Sequence, residues 1–304
     1  SIELNESYAD PHYNLGHIYQ SDDKYDEAID CYKSAIGINP KYCAAYNNLG
    51  NIYKEIGDLD AAIGSFKKAI NLKPKLAETY YNMGGVLQEQ SKLDQAIEAY
   101  NKALSIEPDF ADAYSNMGGV FQEQGKLDEA IEAYNKALSI EPDFADAYNN
   151  MGNVLNKQGE SDKAIEAFKN ALSIKPDFAE AYTNMGSALK EQGKLDEAIE
   201  AYNKALAIKP DFPEAHNNMG NVFNQKGETD KAMEAFKNAL SLDPNYSEAH
   251  NNMGLAFIAQ GKTKEAIEAH NKAILLNPDS CEAHLNLGFA KLKTEQWQHG
   301  IELQ

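Results

Sequence analysis

The chain has 304 residues, of which 47 are acidic and 28 are basic, so its formal net charge at pH 7 is −19. A charge of this sign repels phosphate backbones and anionic membrane surfaces, so it argues against nucleic-acid and membrane binding and favours neutral or basic partners. The longest apolar runs are only a few residues, far below the roughly 20 that span a bilayer. No membrane span is expected.

Cysteine usage and the first residues indicate a cellular location. The three cysteines, Cys31, Cys43 and Cys281, are odd in number and contain no CxxC pair, which argues against a disulfide framework or a zinc site. The starting sequence SIELNESYAD has neither a basic start nor an apolar core, so no export signal is expected. A reducing, cytoplasmic location is therefore expected, and no cofactor or metal is expected.

A 34-residue repeat dominates the sequence. Eight of the ten prolines recur at this interval: Pro40, Pro74, Pro108, Pro142, Pro176, Pro210, Pro244 and Pro278. Nine glycines recur at the same interval: Gly16, Gly50, Gly84, Gly118, Gly152, Gly186, Gly220, Gly254 and Gly288. No insertion or deletion interrupts the register. This spacing predicts one continuous array of repeats rather than separate domains.

One unit, residues 145–178, has the pattern of two helices. The apolar residues of its first helix recur at i, i+3 and i+7: Tyr148, Met151 and Leu155. Gly159 interrupts the pattern, and Asp162 is expected to cap the second helix. The apolar residues of that helix again recur at helical spacing: Ala164, Ile165, Phe168, Ala171 and Leu172. Because such a pair cannot bury its stripes alone, neighbouring units are expected to stack.

The sequence also predicts how the first helices are capped and how closely the helices pack. An acid three residues after an aspartate is typical of a capping box, and three such pairs occur: Asp143 with Asp146, Asp177 with Glu180, and Asp211 with Glu214. The glycine column and two alanine columns, Ala28 to Ala266 and Ala35 to Ala273, are expected to let the helices approach closely.

The unit resembles the tetratricopeptide repeat. That family's pattern is an aromatic residue, Leu-Gly, a second aromatic, then Ala, an aromatic, Ala and a final Pro. The matching residues of this chain are Tyr148, Met151, Gly152, Leu155, Ala164, Phe168, Ala171 and Pro176. The resemblance covers the whole chain. It implies an all-α fold, an α-solenoid of helix-turn-helix units coiled into a right-handed superhelix, with the first helices on the concave face.

The repeat register sets the expected boundaries. Residues 1–8 align with the end of a preceding unit, residues 9–280 form eight complete units, and residues 281–304 form a ninth, partial unit that stops partway into its second helix. Neither end shows a polar capping repeat, so the chain is interpreted as a segment of a longer protein. The alternative is head-to-tail stacking, in which partial units complete one another and chains self-associate end to end.

An asparagine is the sixth residue of every unit: Asn14, Asn48, Asn82, Asn116, Asn150, Asn184, Asn218, Asn252 and Asn286. It shares a helix face with the residues four before, three after and seven after it, away from the apolar stripe. The residue three after it is again asparagine in three units: Asn51, Asn153 and Asn221.

An amide carries both donors and an acceptor, so a stacked column is suited to the backbone of an extended peptide. The column resembles the asparagine ladder in the repeat domain of O-linked N-acetylglucosamine transferases, which implies peptide binding in the groove. The alternative is that each amide only bonds to an adjacent helix.

The same face carries an acidic column: Asp10, Glu78, Asp112, Asp146, Glu180, Glu214, Glu248 and Glu282. Carboxylates in a first helical turn favour the helix dipole, so capping accounts for them, although they also make the groove acidic. The histidines His12, His216, His250 and His284 replace the leading aromatic residue and are interpreted as partly buried core residues. Stacked repeats hold such positions about 10 Å apart, too far for a shared metal with bonds of about 2 Å.

The face becomes apolar near the C-terminal end, at Leu255, Ile258 and Phe289, and Trp297 follows. An apolar patch on a polar groove indicates a contact. Two interpretations stay open: the patch anchors a ligand side chain, or it seats a following domain. The stretch from Gly288 is similar to the junction in bacterial repeat proteins that continue into a transferase domain.

The sequence therefore predicts a protein-interaction scaffold without catalytic chemistry of its own, which binds an extended, neutral to basic peptide or flexible protein segment. Two alternatives remain. In one, the chain is the substrate-docking arm of a larger transferase whose catalytic domain lies beyond Gln304. In the other, it is a structural protein that assembles end to end.

Overall fold

The computed structural model describes the backbone of residues 8–302 and the side chains of residues 8–293. This part of the chain consists of helices joined by short turns and contains no β-strand, so the all-α prediction is confirmed. Its helices are α1 Ala9–Ser21, α2 Tyr25–Ile38, α3 Cys43–Glu55, α4 Leu59–Leu72, α5 Ala77–Glu89, α6 Leu93–Ile106, α7 Ala111–Glu123, α8 Leu127–Ile140, α9 Ala145–Lys157, α10 Ser161–Ile174, α11 Ala179–Glu191, α12 Leu195–Ile208, α13 Pro213–Gln225, α14 Thr229–Leu242, α15 Ser247–Ala259, α16 Thr263–Leu276 and α17 Cys281–Glu302. The segment 1–7, expected to end a preceding repeat, lies outside the described residues.

The chain divides into two compact units between Asn150 and Met151. In the first unit, α1 packs on α2, α3 on α4, α5 on α6 and α7 on α8, and α2 also packs on α3, α4 on α5 and α6 on α7. In the second unit, the same order of contacts runs from α10 through α17. The predicted stacking of helix pairs is therefore confirmed within each unit.

A glycine and an aromatic ring interlock within each complete pair. A Cβ added to Gly84 on α5 would lie 2.7 Å from Cε1 of Tyr100 on α6, and Tyr100 is fully buried. At Gly50 the corresponding distance to Phe66 is 2.6 Å. The helices thus pack closer than any side chain at the glycine would allow. The residues of both alanine columns are also fully buried: Ala28, Ala62, Ala96, Ala130, Ala164, Ala198, Ala232, Ala266, Ala35, Ala69, Ala103, Ala137, Ala171, Ala205, Ala239 and Ala273.

The turn inside a repeat needs one residue with positive φ. Six repeats use glycine there, with φ between 74° and 79°: Gly57, Gly125, Gly159, Gly193, Gly227 and Gly261. Asp23 and Ser91 take the same place with φ of 56° and 57°. In the ninth repeat this place holds Glu295, and α17 continues to Glu302 without a turn. The predicted start of a second helix there is wrong: Glu295 favours a helix and, unlike glycine or the short polar residues Asp23 and Ser91, does not readily adopt a left-handed conformation.

The predicted capping boxes of two first helices are wrong by one residue. The N-cap residues of α11 and α13 are Phe178 and Phe212, and neither forms a side-chain capping bond. Asp177 and Asp211 therefore lie before the caps. The phenylalanine side chains are buried at these places, so packing rather than capping fixes how the helices begin.

Asp162 does not cap its helix either, since the N-cap of α10 is Glu160. Its carboxylate instead accepts a hydrogen bond from Gln192 Nε2 of the next repeat at 2.8 Å. The same bond recurs, at 2.9 to 3.0 Å, in three further pairs: Gln90 with Asp60, Gln124 with Asp94, and Gln260 with Asp230. In another repeat Lys226 replaces the glutamine and pairs with Asp196. These aspartates link neighbouring repeats.

Candidate functional site

The repeated asparagines lie on the first helices, at one fixed place in each repeat. Seven of the nine side chains are half-buried: Asn48, Asn82, Asn116, Asn150, Asn184, Asn218 and Asn286. Asn14 is exposed and Asn252 is buried. The second row, one helical turn further along, is also half-buried: Asn51, Asn153 and Asn221. Half-burial lets one amide contact a neighbouring helix and still face solvent.

In the first unit, the amides bond to the preceding repeat. Asn48 Nδ2 donates to Tyr13 Oη at 3.1 Å and lies 3.2 Å from Tyr32 Oη. Asn116 Nδ2 donates to Tyr81 Oη at 3.0 Å. Burial raises the pKa of Tyr81, so its phenol stays protonated at neutral pH and accepts this bond through its lone pair.

In the second unit, the repeated asparagines also bond to the preceding repeat, but their partners are asparagine side chains. Asn252 Nδ2 donates to Asn217 Oδ1 at 3.0 Å, and Asn286 Nδ2 donates to Asn251 Oδ1 at 3.1 Å. Asn251 Oδ1 also lies 3.0 Å from His270 Nδ1, and because a carbonyl oxygen only accepts, this histidine nitrogen carries the hydrogen.

The interpretation that the amide bonds to an adjacent helix is therefore correct for four residues: Asn48, Asn116, Asn252 and Asn286. The sequence analysis missed their partners, which occupy the place just before the asparagine in the previous repeat: Tyr13, Tyr81, Asn217 and Asn251. The signal was present, since this residue carries a hydrogen-bonding group in each of the first eight units.

The acidic column also takes part in bonds between repeats. Asp10 Oδ1 accepts a hydrogen bond from Tyr42 Oη at 2.8 Å. Glu248 Oε1 accepts one from Asn217 Nδ2 at 3.1 Å, and Glu282 Oε1 accepts one from Asn251 at 3.3 Å. Helix capping alone therefore does not account for these carboxylates.

Carboxylates of neighbouring repeats repel one another in the second unit. Burial, followed by the charges of Glu248 and Glu180, raises the pKa of Glu214, and Lys209 opposes this shift. Lys209 itself pairs with Glu180, with Nζ and Oε1 3.4 Å apart. The N-terminal edge of this face therefore carries negative potential that one lysine does not cancel.

On α15 and α17, apolar side chains occupy the places beside the repeated asparagines that are mostly polar on the other first helices. Leu255 and Ile258 are half-buried on α15, and Phe289 on α17 is 62% exposed. The structure adds two residues that the sequence analysis missed, Leu285 and Leu292, which are 60% and 56% exposed on α17. Their spacing from Phe289, one turn before and one turn after, was the available signal. The predicted contact residue Trp297 lies outside the residues whose side chains the structure describes.

Comparison with family models decides the classification. Models described as TPR repeat match residues 50–91, 85–125, 120–159, 152–193, 186–227, 220–261 and 254–294. Models described as tetratricopeptide repeat match residues 9–42 and 31–64. The chain belongs to the tetratricopeptide repeat family. Tetratricopeptide repeats form scaffolds for protein–protein interaction and are generally non-catalytic.

Two solved structures are similar to this tetratricopeptide repeat chain. One, titled "Crystal structure of APC/C hetero-tetramer Cut9-Hcn1", aligns with a TM-score of 0.67 at 18% identity and shows the fold alone. The alignment covers 88% of this chain and 52% of that one, so this chain spans about half the length of that relative. The other, "Crystal structure of MamA", aligns with a TM-score of 0.51 at 34% identity over 55% of this chain and 97% of that chain. No match was found among curated proteins.

The histidines of the tetratricopeptide repeats bond to the preceding proline turn. Ring Nε2 lies 2.9 to 3.3 Å from a proline carbonyl oxygen in three repeats: His216 to Pro210, His250 to Pro244, and His284 to Pro278. The expected partial burial is confirmed for His216 and His250, whereas His284 and His12 are exposed.

The described residues hold no candidate metal site and no candidate membrane span. Among these residues, no group of three or more His, Cys, Asp or Glu side chains is placed to hold a metal ion. None of the helices in the described part of this tetratricopeptide repeat chain is long and apolar enough to cross a bilayer.

Proposed function

We propose that this chain binds an extended peptide, or a flexible segment of a partner protein, along the asparagine-bearing face of its first helices. The observation that carries the proposal is the repetition of one amide at the same place in every repeat, half-buried in seven of nine. An extended backbone offers one N–H and one C=O per residue, so a row of amides suits peptides of differing sequence.

The bonds between repeats support this use of the amides. The amide of Asn116 donates to Tyr81 and also hydrogen-bonds to Tyr100, and its carbonyl oxygen is the group suited to accept a hydrogen bond from a peptide N–H. An amide that is already held in one orientation loses less side-chain freedom when a ligand arrives. Bonding to the adjacent helix and binding a peptide are therefore compatible, and the first prepares the second.

The spacing of the repeats suits an extended chain. Packed helices lie about 8–10 Å apart, and an extended strand rises about 3.3 Å per residue, so each repeat spans about three ligand residues. Four repeats of the first unit therefore suit a segment of about twelve residues. The net charge of −19 and the acidic edge of the face favour a neutral to basic segment.

The test uses a phage-displayed library of random 12-residue peptides, panned on the purified chain, with the tightest peptide as the probe. We expect Asn82→Ala with Asn116→Ala to weaken binding about 30-fold, from two lost hydrogen bonds of about 1 kcal/mol each. The matched control is Asn101→Ala with Asn135→Ala, which removes exposed amides from the second helices of the same two repeats. The control should bind the probe as the parent chain does.

A second arm replaces alternate backbone N–H groups of the probe by N-methyl groups, which removes donors without changing side chains. This change should weaken binding by a similar factor. Three results would contradict the proposal: a library that yields no binder, equal binding by the amide variant and its control, or indifference to N-methylation.

A further inference from the structure

The first-helix face changes its chemistry abruptly between the seventh and eighth repeats. Helices α13 and α15 share the run EAHNNMG, and the next residue is Asn221 in one and Leu255 in the other. Three residues further on, Asn224 is replaced by Ile258. Among the buried residues of α13, Val222 becomes Ala256 in α15, so the core position next to this row shortens while the half-buried row itself becomes apolar.

Helix α17 continues the apolar row in the ninth repeat. Leu285, Phe289 and Leu292 follow at i, i+4 and i+7 and therefore share one face of the helix. Each is more than half exposed, at 60%, 62% and 56%. Clustered exposed apolar side chains beside polar ones are typical of a contact surface.

The opposite edge of the same two helices is acidic. Glu248 and Glu282 are the second residues of α15 and α17, and seven residues separate each from Leu255 and Phe289. At 1.5 Å per residue, about 10 Å of helix lies between the carboxylate and the apolar side chain, with Asn252 or Asn286 between them. A strand that crosses the helices at the amides thus has an acidic edge on one side and an apolar edge on the other.

We infer that the segment bound over the eighth and ninth repeats alternates basic and bulky apolar residues, with the basic side chains directed to the carboxylates and the apolar ones to Leu255 and Phe289. Successive side chains of an extended strand project to opposite sides, which matches the two edges. This inference rests on the proposed function and names the chemical class of its ligand.

Charge complementarity and continuity with the amides favour this occupant. Burial, and after it the charges of Glu248 and Glu180, raise the pKa of Glu214, so a basic side chain beside Glu248 would offset part of this unfavourable charge. On α17 the apolar residues lie beside the half-buried Asn286, whose amide is held by Asn251, whereas Asn252 on α15 is buried and bonds to Asn217. An extended segment therefore reaches both edges at once.

The probes are four fluorescein-labelled eight-residue peptides that alternate a charged and a test residue: Lys with Leu, Lys with Ser, Glu with Leu, and Glu with Ser. Fluorescence anisotropy measures their affinities. The Lys–Leu peptide should bind at least tenfold tighter than each of the other three, because only it satisfies both edges. Equal binding of the Lys–Leu and Lys–Ser peptides would overturn the inference.

The variant Leu255→Asn with Phe289→Asn supplies the matching test on the protein. Asparagine already occupies this place at Asn153 and Asn221, and Phe289 is exposed, so the fold should be retained. The variant should bind the Lys–Leu peptide at least tenfold more weakly, at the level of the Lys–Ser peptide. The control Leu275→Ser, at a residue 74% exposed on the second helix α16, should leave the affinity unchanged.

The outcomes separate this inference from the proposed function. If the Asn82 and Asn116 variant loses its panned peptide while the Leu255 and Phe289 variant binds the Lys–Leu peptide normally, only the inference fails. If neither variant loses affinity, both fail. A lower mass of the Leu255 and Phe289 variant by light scattering, with unchanged peptide affinity, would overturn the inference in favour of a second copy of this chain on the patch.

Discussion

Two adjacent glycines on α5 offer a controlled test of how the repeats pack. Gly84 faces the ring of Tyr100, and a Cβ there would lie 2.7, 2.9 and 3.0 Å from three ring carbons. At Gly85 the nearest atoms are Tyr100 Oη at 3.8 Å and Lys54 Nζ at 4.0 Å. The change to alanine adds the same methyl group to the same helix in both cases. Only the space available differs.

The expected magnitudes follow from these distances. Alanine in a helix interior is favoured over glycine by about 1 kcal/mol, so Gly85→Ala should stabilise the third repeat by about that amount. Carbon atoms prefer separations of about 3.5–4.0 Å, so Gly84→Ala forces Tyr100, which is fully buried, and its helix to move. Overpacking of this kind costs about 3 kcal/mol at the upper end. Gly84→Ala should therefore destabilise the repeat by about 2 kcal/mol.

Hydrogen exchange resolved by peptide mass spectrometry is the suitable assay, because a repeat array opens locally and a single melting temperature would average over its parts. The free energy of opening for α5 and α6 should differ by about 3 kcal/mol between the two variants. Equal protection in both variants would refute the interlocked packing of Gly84 with Tyr100.

Three further predictions concern single residues. Because the turn requires a residue with positive φ, Ser91→Gly should stabilise its repeat by about 1 kcal/mol, and Gly125→Ser should destabilise its repeat by about the same amount. Thermal denaturation and hydrogen exchange measure both changes. A loss of stability in Ser91→Gly would contradict this prediction. Burial lowers the pKa of His270, so the unfolded chain binds the proton more readily, and stability should fall as pH drops below about 6.5. His270→Phe, which copies Phe236, should remove that part of the loss in denaturant titrations across pH, and an unchanged profile would refute the assignment. Asn251→Ala removes the hydrogen-bonding partner of Glu282, His270 and Asn286, so it should destabilise α15 to α17 by about 2–3 kcal/mol. Hydrogen exchange of these helices measures the loss. A change below about 0.5 kcal/mol would show that these bonds contribute little to stability.

Much of the fold could be predicted from periodicity. The interval between prolines and glycines gives the register, and apolar spacing gives two helices per repeat, because both depend on residues within one unit. The capping predictions failed at Asp177 and Asp211, since the start of a first helix is fixed by a buried phenylalanine that packs between repeats. The sequence did not predict that α17 continues to Glu302. The turn in the other repeats requires one residue with positive φ, and whether Glu295 adopts that conformation cannot be read from the repeat register.

The candidate site was located by sequence but its bonding was not. Identical asparagines at a fixed place predict a row of amides on one face. What each amide contacts depends on a residue one repeat away, which is Tyr13 for Asn48 and Asn217 for Asn252. The apolar row was only partly predicted, because Leu285 lies at a place that carries a hydrogen-bonding side chain in each of the first eight units.

A structure of the chain bound to the panned 12-residue peptide tests the central claim most directly. The account predicts an extended peptide whose backbone N–H and C=O groups lie about 2.7–3.2 Å from the side-chain amides of asparagines on successive first helices, such as Asn82 and Asn116. A peptide bound on the second helices, or one held on the first helices only through its side chains, would contradict the account.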